Sequence, residues 1–222
     1  MKYRLFSKDF ETMEKVIRTV ASPWESEKVI ERSRFLTYSM HVESEEEARE
    51  EIARIRKEHS LATHCTYAFI ADKTGNVQRF SDDGEPQGTA GVPILEVLKN
   101  KQLFETLVVV VRYFGGIKLG TGGLVRAYSS SAAENLAAAD ICVLRWCTEL
   151  IVEVDYTGID GVQKYLSSNP CSLLFTDYGE KVRFTAAVKS EEKEGFVNGL
   201  VDYMQGRVSI IYGKEYYGSF KE

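Results

Sequence analysis

LVVVVRYFGGIKLGTGGLVRAY, residues 107–128, decides how the N-terminal part of this chain is read. Leu107–Val111 is a continuous, largely β-branched apolar run, the mark of a strand covered on both faces. Gly115, Gly116, Gly120, Gly122 and Gly123 then open a loop, and small residues from Gly123 to about Ala139 predict a helix packed closely on a sheet. Arg112, Lys118 and Arg126 stand in this stretch with no acid between them. A glycine loop that starts a helix offers free backbone N–H groups and the positive end of a helix dipole, so its natural guest is an anion. The expected anion site is therefore Arg112, Lys118, Gly120, Thr121, Gly122, Gly123 and Arg126, with Thr121 capping the helix and Arg126 in its first turn. The plainer alternative is that the glycines only let strand and helix pack, while Arg112 pairs with a carboxylate.

Working outward, Val92–Asn100 reads as a short helix with Pro93 in its first turn, where a missing N–H costs nothing. Before it, Ser81–Gly91 (SDDGEPQGTAG) has no periodicity. Thr63–Ala71 and Val77–Phe80 flank Lys73-Thr74-Gly75-Asn76 and predict a hairpin. Ser44 is placed to cap a helix running to about His59, with Glu45, Glu46 and Glu47 in the first turn and Ala48, Ile52 and Ile55 on its buried stripe. Glu27–Ile30 and Arg34–Val42 read as strands. Phe10, Met13, Ile17 and Val20 lie at helix spacing in a segment that looks added to the rest. Downstream, strand, helix, strand, strand, helix and strand follow in order from Glu149 to Tyr212, the β-α-β-β-α-β succession of a ferredoxin-like domain. The expected organisation is an extension over residues 1–20, a first domain over 21–143 and a second over 144–222.

The chain has 222 residues, 44% hydrophobic and 27% charged, which is ordinary globular composition. Its net charge of −5 and pI of 5.4 argue against indiscriminate coating of nucleic acid, so any polyanion contact must be a local patch. Four cysteines without a C-x-x-C pair and only three histidines make a structural zinc site unlike this sequence; free buried thiols in a reducing compartment are expected. The N-terminal residues break every apolar run with a charge, so neither a signal peptide nor a membrane span is expected there and the cytoplasm is the expected location.

The segment from Gly91 through Gly120 resembles the signature of the YigZ/IMPACT family of uncharacterised proteins. Gly91, Ile94-Leu95, Leu98, Leu103, Val109-Val110, Arg112, Tyr113-Phe114, Gly115-Gly116 and Leu119-Gly120 stand at its spacing. Ser33–Phe35, His64 with Tyr67, and Ser81–Gly91 support it, and the likeness covers about residues 25–140. The resemblance implies an α+β protein whose N-terminal domain is a ribosomal-protein-like (second-domain-type) α/β sandwich, its sheet covered by helices on one side. Similar domains recur in elongation factor G, in the ribonuclease P protein and in kinases of the galactokinase type. Bacterial members carry a ferredoxin-like C-terminal half, similar to modules of translation factors. Fold alone does not fix function. The eukaryotic relative restrains a translational stress kinase with an additional N-terminal domain, so that pathway is not expected to carry over.

Two further groups of residues bear chemistry. Asp82, Asp83 and Glu85 are close enough in sequence to hold a divalent cation such as magnesium, or to cap helices and pair with Arg112 or Arg126. His64 at a strand start would serve as a general base beside them, making His64, Asp82, Asp83 and Glu85 the candidate catalytic set. Cys65 points to the other strand face and cannot pair with His64. Ser129, Ser130 and Ser131 lack the G-x-S-x-G context, and no Walker or dinucleotide motif is present.

Three functions remain open. The first is binding of RNA or the ribosome in translation or its regulation, with phosphate on the basic loop and Tyr113 and Phe114 stacking if exposed. The second is an enzyme for a small phosphorylated ligand, with a closed pocket between the glycine and acidic loops. The third is a protein–protein adaptor. Oligomeric state is not legible in the sequence.

Overall fold

A computed structural model describes residues 16–219. The chain divides into two compact units, one formed by Ile17–Val143 and one beginning at Leu144.

The first unit runs β1 (Ile17–Val20), β2 (Trp24–Ile30), β3 (Ser33–His41), α1 (Glu45–Glu58), β4 (His64–Ile70), β5 (Gln78–Ser81), α2 (Gly91–Asn100), β6 (Thr106–Tyr113) and α3 (Gly120–Ala138). Five strands form one antiparallel sheet in the order β2-β3-β6-β4-β5. β6 is its centre because every residue from Thr106 to Arg112 is buried, as the apolar run required. Val108 and Val110 pack with Ile94, Leu98, Leu124, Tyr128 and Leu136 of α2 and α3. Leu107, Val109 and Val111 pack with Ala48, Ile52 and Ile55 of α1. Helices therefore cover both faces, and the one-sided cover implied by the family resemblance is corrected. The physical reason is the run itself: a strand apolar at consecutive positions would leave one face of its valines in water unless both were covered.

The Ser44 hydroxyl accepts from the Glu47 N–H and starts α1, as its sequence predicts. Asp72 organises the β4–β5 turn by accepting from the Val77, Thr74 and Asn76 N–H groups. The helix spacing of Ile17 and Val20 is overturned, since both lie in strand β1; Phe10 and Met13 lie outside the described residues. Ile17, Thr19 and Val20 are β-branched, and tertiary partners hold them extended. The Thr19 hydroxyl donates to the Glu105 carbonyl over 2.9 Å, and the Phe104 N–H donates to the Arg18 carbonyl.

The second unit has β7 (Ile141–Val154, whose first residues belong to the other unit), α4 (Ile159–Ser168), β8 (Ser172–Tyr178), β9 (Val182–Lys189), α5 (Lys193–Tyr203) and β10 (Ser209–Ser219). The strands pair antiparallel in the order β10-β7-β9-β8, which is the ferredoxin-like arrangement. Alternate residues Leu150, Val152 and Val154 of β7 and Val182, Phe184, Ala186 and Val188 of β9 meet Val162 and Leu166 of α4 and Phe196 and Leu200 of α5. The molecule is thus an α+β protein with two antiparallel sheets. Among the described residues no helix is long and apolar enough to cross a membrane.

Candidate functional site

Strand register builds the centre of the site. Phe35 of β3, Arg112 of β6 and His64 of β4 are direct neighbours across the sheet, so all three side chains rise from one face. Arg112 is 4% exposed, held between the Phe35 and Phe114 rings at 5.4 and 5.5 Å from their centroids. Its Nη1 donates to Glu85 Oε1 over 2.6 Å and its Nη2 to the Ser33 hydroxyl over 3.2 Å. The same hydroxyl accepts from the Gly115 N–H, tying the start of the glycine loop to β3. Glu85, 8% exposed, also accepts from the Tyr128 hydroxyl of α3 over 2.7 Å. Burial, and then this hydrogen bond, push the Tyr128 phenol far above its ordinary range, so it stays a donor.

This geometry decides between the two accounts of Arg112. The guanidinium is committed to Glu85 and is not an exposed phosphate contact, although its Nε–H is buried without a partner among the described residues. Sequence reasoning missed Tyr128, Ser33 and Phe35 as partners. The i, i+2 spacing of Ser33 and Phe35 put them on one strand face, but only register joins that face to Arg112.

The three acids of Ser81–Gly91 do not converge. Asp82 accepts from the Gly88, Ala90 and Gly91 N–H groups at 2.7–3.0 Å and thereby fastens the loop to the start of α2. Asp83 pairs with Arg56 of α1 over 2.7 Å and accepts from the Cys65 N–H. Only Glu85 turns to Arg112. Magnesium at Asp82, Asp83 and Glu85 therefore lacks its ligand set, and among the described residues no group of three His, Cys, Asp or Glu side chains is placed to hold a metal. His64 donates from Nδ1 to the Asp83 carbonyl over 2.8 Å, with Nε2 at 3.8 Å from Glu85 Oε1. Of the candidate catalytic set, only the side chains of His64 and Glu85 approach each other, since Asp83 meets His64 through its backbone carbonyl. Ser129 and Ser130 bond back to carbonyls of their own helix.

The glycine loop also differs from expectation. α3 begins at Gly120, three residues early, so Gly120, Thr121, Gly122 and Gly123 form its first turn and Arg126 lies in the second. Thr121 caps nothing: the residue before the helix is Leu119, in αR conformation, and no side chain caps it. A cap residue needs extended backbone, which Thr121 inside the helix does not have. The first-turn N–H groups stay without intrahelical partners. Lys118 and Arg126 are exposed, and neither meets an acid among the described residues.

Glu85 and Pro86 of the acidic loop, Arg112 and Phe114 at the end of β6, and Lys118, Gly120, Thr121 and Leu124 border a half-open cavity of about 280 Å³. Lys118 and Arg126 border a second hollow of about 430 Å³ with Ile30, Ile117 and Glu31.

Residues 31–136, which contain the Arg112 junction and every residue of the first cavity, match the Impact N-terminal domain. The chain belongs to the IMPACT family. Residues 152–207 match a second family model, a domain of unknown function (DUF1949). The IMPACT family member YvyE of Bacillus subtilis (strain 168) is 39% identical over 88% of this chain and 90% of its own length. The IMPACT family member YigZ of Escherichia coli (strain K12) is 34% identical over 82% of this chain and 90% of its own. A crystal structure of a hypothetical protein, 32% identical, superposes with a TM-score of 0.59 over 91% of this chain and 98% of that one.

Proposed function

We propose that this IMPACT-family chain acts in the cytoplasm by binding RNA, free or in the ribosome, in translation or its regulation. The observation that carries the reading is the pairing of Lys118 and Arg126, two cations without an ion-pair partner among the described residues, with the acid-free first turn of α3. Free N–H groups and the helix dipole add to their field, and a backbone phosphate is the ligand such an end accepts. Arg112 contributes by holding the loop, not by meeting phosphate. The patch is small on an acidic body, which fits a local contact and excludes general coating of nucleic acid. The test is RNA affinity as a function of salt. Affinity should fall with rising salt, by a slope of about 0.7 per phosphate neutralised on a single strand. A flat salt response would sink the reading.

A second reading has one observation in its favour, the cavity shared by the acidic and glycine loops. A small phosphorylated ligand would set its phosphate on the same α3 turn with His64 and Glu85 nearby. It predicts thermal stabilisation by particular metabolites without any polymer.

A further inference from the structure

We infer that the 280 Å³ cavity receives one unstacked base of single-stranded RNA, an inference that rests on the RNA reading of the α3 turn. Three observations carry it. First, Lys118, Gly120 and Thr121 border both the phosphate-binding turn and the cavity, so a nucleotide whose phosphate sits on the turn has its base within reach. Second, Phe114 is 46% exposed at the cavity wall and already lies against the Arg112 guanidinium. That leaves aromatic surface for a base, with Pro86, Leu119 and Leu124 supplying the apolar remainder. Third, the wall holds one unused acceptor: Glu85 Oε2 accepts nothing from the described residues, while Oε1 takes both Arg112 and Tyr128. Every base carries an N–H donor on its edges, whereas a backbone phosphodiester has no hydrogen to offer Glu85. The volume is at the lower end of ligand pockets and suits one ring system. A duplex keeps its bases stacked and cannot deliver one, so the chemistry selects single strands.

The experiment measures affinity by fluorescence anisotropy for four probes: a short single strand, its duplex, the same strand with abasic riboses, and a nucleoside monophosphate. The single strand should bind about tenfold tighter than the duplex or the abasic strand, the scale of one stacked base. Phe114→Ala should remove that advantage while leaving abasic binding unchanged. Pro86→Trp, a substitution at an exposed wall residue outside the α3 turn, fills the cavity and should do the same if Phe114→Ala perturbs folding. Equal affinity for single strand, duplex and abasic strand would overturn the base pocket while the phosphate site stood. A monophosphate binding as tightly as the strand would assign the cavity to free nucleotides and overturn the inference. Absence of salt-dependent binding to any of the four would remove the RNA reading itself.

Discussion

Arg112 and Glu85 form a charge pair, 2.6 Å apart, with both side chains almost wholly out of water. Neither ion is tolerable there alone. The pair joins the end of β6 to the loop before α2, and the Tyr128 hydroxyl adds α3 to the same carboxylate oxygen. The most basic-looking position of the sequence is thus a structural junction.

Breaking the pair from one side should therefore be severe. Arg112→Ala leaves a buried carboxylate, and Glu85→Gln leaves a buried guanidinium; each should cost about 3–5 kcal/mol in denaturant unfolding of the first unit. Replacing both charges together, as Arg112→Met with Glu85→Gln, should recover a good part of the loss. Single variants costing under about 1 kcal/mol would mean that the pair behaves as a hydrated surface pair.

Lys118 and Arg126 should behave in the opposite way. Both are exposed and have no ion-pair partner among the described residues, so Lys118→Ala and Arg126→Ala should stay within about 0.5 kcal/mol of the parent protein. Each should lower the salt slope of single-stranded RNA binding by about 0.7. Unchanged slopes in both variants would show that the α3 turn does not meet RNA.

Asp82 anchors three backbone N–H groups with one carboxylate, and two of them open α2. Asp82→Ala should cost about 2–3 kcal/mol by stranding those donors. Because the neighbouring acids have separate partners, millimolar magnesium or a chelator should leave the melting temperature unmoved. A magnesium-dependent rise that Asp82→Ala abolishes would restore the loop as a metal site.

Element types were legible wherever local chemistry and burial agreed. The β6 run, the Ser44 cap and the Asp72 turn all follow from residues near in sequence. The start of α3 was not, because three glycines read as loop by propensity, while the buried stripe of Leu124, Ala127 and Tyr128 extends the helix through them. At the site, the acids and cations were visible but their pairing was not. Asp82, Asp83 and Glu85 are sequence neighbours that turn to three different elements, and register across β3, β6 and β4 decides which one meets Arg112. Ile17 and Val20 show the same limit, since i, i+3 spacing fits a helix yet their partners lie on the strand side.

Within the glycine loop, two neighbouring glycines are required for different reasons. A Cβ on Gly115 would lie 2.0 Å from the Arg32 carbonyl oxygen and 2.6 Å from the Ser33 nitrogen, so backbone would have to move. Gly116 has open space but a φ of +87°. Gly116→Ala should cost about 1–2 kcal/mol from backbone strain alone. Gly115→Ala should cost more and should also disturb the Ser33 bridge to Arg112, seen as loss of the Phe114 environment in NMR spectra. The reverse order of stabilities would mean that the loop does not approach β3 this closely.

Tyr128 offers a test of the junction on the alkaline side. Its phenol is raised above the ordinary value near 10 by burial and then by the hydrogen bond to Glu85. A folded-state value above the unfolded one means the contribution to stability is whole below about pH 10 and is lost as pH rises beyond it, by up to about 1.4 kcal/mol per pH unit. Tyr128→Phe should cost about 1–3 kcal/mol at neutral pH, because Glu85 loses a donor in a buried site. It should also flatten the alkaline decline of stability relative to the parent protein. In absorbance titrations the two proteins should share one tyrosinate curve until the parent unfolds. An additional phenol ionising near pH 10 in the folded parent, absent from Tyr128→Phe, would show that water reaches the Glu85 carboxylate and that the Arg112 pair is not sealed.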